Sequence, residues 1–121
     1  MGPRELTRFR TALERQRAAT ADAIAELAAS LAEVRAARGD GTADDEHDPD
    51  GSTLSGEWSR VSGLETDFVS SRAAIDRALA RIENGGYGTC LRCGGPIGVP
   101  RLEARPAAEL CIDCAREQER R

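Results

Sequence analysis

The chain contains no lysine; all 17 of its basic residues are arginine, set against 21 acidic residues and a formal charge of −4 over 121 residues. That balance excludes the basic footprint of a nucleic-acid binder. It suits a protein partner of complementary charge instead. Aromatics are equally scarce: Phe9, Trp58, Phe68 and Tyr87 are the complete set. A 13.0 kDa chain with so few bulky side chains cannot build a thick core. It must rely on helix pairing, a staple, or both. No long apolar run occurs, so neither a signal peptide nor a membrane span is expected. "MGPREL" lacks the Ser or Thr of a myristoylation signal. A cytoplasmic protein is expected, and in a reducing compartment four cysteines point to a metal site rather than to disulfides.

What is present is periodic. Over residues 4–38, Leu6, Phe9, Leu13, Gln16, Thr20, Ile24, Leu27, Leu31 and Val34 step by three and four. That spacing predicts one long helix with a heptad stripe, stopped at Gly39 and Gly41. A second helix is predicted from about Leu54 to Glu83, with Ser52 or Thr53 as its cap. Its stripe is Leu54, Trp58, Val61, Glu65, Phe68, Arg72, Ile75, Leu79 and Ile82, and "ENGGYG" ends it through Gly85 or Gly86. Arg60, Arg77 and Arg81 are expected on a solvated face. Two such helices, joined by about 15 residues, bury their stripes most simply as an antiparallel coiled-coil hairpin. The chain is therefore expected to be mainly α. A helical hairpin fills residues 1–84, with an acidic tip at about 40–53, and a small module fills 85–121.

That module holds Cys90-x2-Cys93 and Cys111-x2-Cys114, separated by residues 94–110. Two Cys-x2-Cys pairs at this distance have zinc-site spacing, each turn offering two thiolates to a tetrahedron. Nothing nearby offers an open coordination position, so the metal, one Zn²⁺, is expected to be structural. Ile97, Val99, Leu102 and Leu110 supply apolar packing for a metal-nucleated fold, in a stretch otherwise read as loop. No nucleophile–base pair is evident, and no enzyme is expected.

The segment "GGYGTCLRCGGPIGVPRLEARPAAELCIDC", residues 85–114, resembles the DksA/TraR family of bacterial transcription regulators. The Tyr-Gly before Cys90, Gly94, Ile97, "RLEARP" and "CIDC" carry the likeness, which covers about a quarter of the chain. The resemblance implies direct binding to RNA polymerase, with the coiled coil entering the secondary channel and the zinc end touching the enzyme outside it. It implies that acidic residues at the tip act near the catalytic magnesium, and it names ppGpp as a candidate effector. It also implies no sequence-specific DNA binding of the chain's own, and a monomer is expected. "ADDEHDPDGS", residues 43–52, is the corresponding tip, with Asp45, Asp48 and Asp50 as its candidate working acids. Asp44, Glu46, His47 and Trp58 are candidate further contacts. The tip departs from the family's Asp-x-x-Asp-x-Ala. Asp45-x-x-Asp48 keeps the acid spacing but has Asp50 in place of alanine, and the other register reads His47-x-x-Asp50-x-Ser52. The rival reading is a zinc-stapled coiled coil that serves as an adaptor or touches DNA without acting on polymerase.

Overall fold

The computed structural model describes residues 1–40 and 49–120, and side chains of those residues outside 38–55. The protein is mainly helical. Helix α1 runs Pro3–Asp40, α2 Pro49–Asn84, α3 Val99–Ala104 and α4 Ile112–Glu119. At 1.5 Å per residue, α1 and α2 are each about 55 Å long.

Proline at the first helical position needs no partner for a missing N–H, and both long helices begin on one, Pro3 and Pro49. This moves the start of α2 five residues ahead of the expected Leu54. Ser52 and Thr53 therefore lie inside the helix and not at its cap. At its other end, α2 stops as expected. Gly85 takes φ 86°, and the Gly86 N–H reaches back to the Arg81 carbonyl at 2.9 Å. A side chain at Gly85 would be strained in that left-handed conformation.

Contacts divide the chain into two compact units, Met1–Ala18 with Arg72–Arg121, and Ala19–Ser71. In the first, α1 and α2 pair antiparallel. Arg10 binds Glu83 at 3.2 Å, and Arg17 binds Asp76 at 2.7 Å, the numbers rising on one helix as they fall on the other. Phe9 and Leu13 pack against Ile75, Ala78 and Ile82, and the same core takes in Tyr87, Cys90, Ile97, Leu102 and Cys114. In the second unit, Val34 and Val61 are buried, while Ile24, Leu27, Leu31 and Phe68 are half-buried. There the Arg35 guanidinium lies 5.2 Å from the centre of the Trp58 ring. The apolar positions of the predicted stripes thus lie on the buried faces among the described side chains, while Gln16 and Arg72, placed on the stripes, are exposed. The chief additions are Ala78, fully buried where a small side chain lets α1 approach, and Arg81.

The segment after Gly98 was expected as loop and is helix α3. Pro100 stands in its first turn, Leu102 on its buried side is 0% exposed, and Pro106 follows just past its end. Among the described residues, no helix is long and apolar enough to cross a membrane.

Candidate metal centre

Cys90 begins a tight turn. Its carbonyl accepts from the Gly94 N–H at 3.0 Å, and its own N–H donates to the Gly95 carbonyl at 2.8 Å. The return requires φ 75° at Gly94, a position that favours glycine. The Gly95 N–H then points at Cys93 Sγ, 3.4 Å away. A bridge between Thr89 and Pro96, and the Ile97 N–H on the Gly88 carbonyl at 2.8 Å, close the knuckle.

The second pair is built differently. Cys111 is the N-cap of α4, and its sulfur accepts from the Cys114 N–H at 3.5 Å. The two knuckles face each other. All four Sγ atoms lie within 4.8 Å of one another, with Cys93 and Cys111 at 3.9 Å. A disulfide needs about 2.05 Å. A tetrahedral zinc, with sulfurs at about 2.3 Å from the metal, spaces them about 3.8 Å apart. The donor set and its spacing therefore fit one zinc ion with no position left open. Cys90 and Cys114 are buried, and Cys93 is exposed.

Electrostatics favour thiolate at one corner. The backbone N–H groups of Cys93 and Cys111 hold the Cys90 thiol down to about 6. The neighbouring Cys111 side chain, with burial, pushes the Cys114 thiol up to about 12. A dication held by Cys90, Cys93, Cys111 and Cys114 would favour thiolate at all four sulfurs.

Several residues around the knuckles hold them. Arg101 Nε donates to the Leu110 carbonyl at 2.8 Å, and Arg92 Nη1 donates to the Cys114 carbonyl at 3.3 Å. The Tyr87 hydroxyl donates to the Pro106 carbonyl at 2.7 Å, its ring centre 5.7 Å from that of Phe9. Glu109 reaches two helix arginines, Arg77 at 2.8 Å and Arg81 at 3.7 Å. Arg81 is therefore not on a solvated face: it is 9% exposed. Its step of three from the small Ala78 was the available signal, masked by its charge.

Residues 85–120 match the family model of the prokaryotic dksA/traR C4-type zinc finger. Residues 85–120 thus carry a zinc finger of the DksA/TraR type. Among its relatives is the RNA polymerase-binding transcription factor DksA of Caulobacter vibrioides (strain NA1000 / CB15N), 51% identical over 47 residues, which are 39% of this chain and 33% of that protein. The protein of the same name from Escherichia coli (strain K12) is 52% identical over 40 residues, 33% of this chain and 26% of that protein. In these matches the chain spans a third or less of the length of its curated relatives. The structure of transcription factor DksA2 from Pseudomonas aeruginosa superposes with a TM-score of 0.80 at 28% identity, covering 99% of this chain and 87% of that one.

Of the expected tip residues, Asp44, Asp45, Glu46, His47 and Asp48 lie outside the described residues. Asp50 falls within α2, its side chain outside them. Trp58 is half-buried beneath Arg35.

Proposed function

We propose that this DksA/TraR chain is a non-enzymatic regulator that binds RNA polymerase directly and modulates transcription initiation. The observation that carries the reading is the C4 finger at residues 85–120, shared with relatives named as RNA polymerase-binding transcription factors. In this reading Cys90, Cys93, Cys111 and Cys114 hold one structural zinc ion, and residues 85–121 work as a module distinct from the helical pair of 1–84. The tip, with Asp45, Asp48 and Asp50, enters the secondary channel. Asp44, Glu46, His47 and Trp58 lie close enough in sequence to add contacts. Two large apolar side chains on the zinc module, Leu91 at 59% and Ile112 at 45% exposure, suit a contact with the enzyme outside the channel. ppGpp is the effector to try first, and the chain acts as a monomer in the cytoplasm.

The test is capture of the purified, zinc-loaded chain by core RNA polymerase at physiological salt, beside a gel shift on promoter DNA alone. Retention by polymerase with no shift of bare DNA is the expected result. A shift of DNA without polymerase, or no retention, would favour the adaptor or DNA-binding alternative.

A further inference from the structure

Arg81 is a buried charge on α2, and its Nη2 has no hydrogen-bond partner among the described atoms. A guanidinium in that position depends on the carboxylate beside it, because a buried charge left alone is strongly destabilising. The carboxylate is Glu109, which is shared with the exposed Arg77. Glu109 stands on residues 105–111, a stretch with no helix or strand of its own. The zinc knuckles keep that stretch in place. The Glu109 carbonyl accepts from the Leu91 N–H of the first knuckle at 2.9 Å, and Cys111 of the second follows two residues later. Arg101 ties the intervening Leu110 carbonyl. Glu109 therefore touches α2 through its side chain and the first knuckle through its backbone, two residues ahead of the second knuckle in the chain.

We propose that Glu109 is a positioning residue that links occupancy of the four-cysteine site to the order of the last turns of α2, through Arg81. With the knuckles pinned by metal, residues 105–111 deliver the Glu109 carboxylate to Arg81 and the end of α2 is held. Without metal the carboxylate is withdrawn, and Arg81 must reach water by loosening the helix that carries it. Coupling is reciprocal, so loss of the pair weakens metal binding as well. The inference rests on the zinc reading of the cysteines and not on polymerase binding.

The experiment uses the full chain, with zinc affinity read by competition against a chromogenic chelator and helix order read by hydrogen exchange of residues 72–84. Glu109→Gln is expected to weaken zinc binding about tenfold, in the range seen for groups that support metal ligands. It is also expected to lower protection of residues 72–84 in the zinc-loaded protein. Arg81→Met removes the buried charge, so in that background Glu109→Gln is expected to change zinc affinity by less than about twofold, as a double-mutant cycle requires. Arg77→Gln, on an exposed side chain, serves as the control with little effect. The proposal is overturned if Glu109→Gln leaves zinc affinity and helix protection at wild-type levels. It is equally overturned if the loss is the same with Arg81 and with Met there. A wild-type chain that bound no zinc would overturn it together with the zinc reading.

Discussion

Tyr87 shows how one side chain serves both the core and the metal module. Its ring packs on Phe9, its hydroxyl ties the Pro106 carbonyl, and burial pushes its ionisation up from 10.0 to about 12. A raised phenol contributes stability that is fully present below pH 10. That stability is lost as pH rises through 12, because the unfolded chain ionises first. The difference amounts to about 2–3 kcal/mol. Thermal melts between pH 9 and pH 12 should therefore show a steep alkaline loss that Tyr87→Phe flattens. At pH 7 the same substitution costs about 1 kcal/mol, for the lost hydrogen bond. If the alkaline loss were the same in both proteins, Tyr87 would not be its source. Leu102, fully buried on α3, is the matching apolar case. Leu102→Ala should cost about 2–5 kcal/mol in a denaturant titration of the zinc-loaded protein.

At the scale of elements, the zinc module combines two short helices, one bridge and two knuckles. Its apolar content is small, and four sulfurs converge where a tetrahedral ion fits. A chelator should therefore lower helical circular dichroism by roughly the share of α3 and α4 while leaving most of α1 and α2 helical, since metal-bound folds of this size are commonly disordered without it. Full retention of structure in residues 85–120 under chelation, read by hydrogen exchange, would count against a structural zinc. These elements were unequally legible in the sequence. The apolar residues of the two stripes named the buried faces because period 3.5 is a direct imprint of helix pairing, whereas Gln16 and Arg72 on the same stripes are exposed. The cysteine spacing named the sulfurs that meet because a Cys-x2-Cys turn is local. Helix α3 was missed because six residues carry too little periodicity, although Pro100 near its start was a usable sign. The start of α2 was misplaced because Ser52 and Thr53 mimic caps inside a helix that begins on Pro49. The pairing of Arg81 with Glu109 was invisible, since a long-range ion pair leaves no pattern along the chain.

The whole chain carries a four-cysteine module and, in residues 43–52, the acidic segment "ADDEHDPDGS", which has no basic residue to offset its charge. Charges kept together without compensation repel one another, and a partner that rewards them is the economical explanation. Binding and regulation should then separate. In the proposed function, attachment belongs to the zinc module and helices, and the effect to the acids. Attachment by a chain of net charge −4 should weaken with added salt wherever its arginines meet acidic surface, a trend readable by titrating salt in the capture assay. The departure from Asp-x-x-Asp-x-Ala makes the effect, rather than the attachment, the point at issue. The measurement that decides it is a single in vitro transcription assay with core enzyme, sigma factor and a promoter template. It compares the wild-type chain with the triple variant Asp45→Asn, Asp48→Asn, Asp50→Asn at concentrations giving equal polymerase occupancy. The account predicts that the wild type changes transcript yield and that the variant, though bound, does not. A variant that regulates as the wild type does, or a bound wild type that leaves yield unchanged, would contradict it.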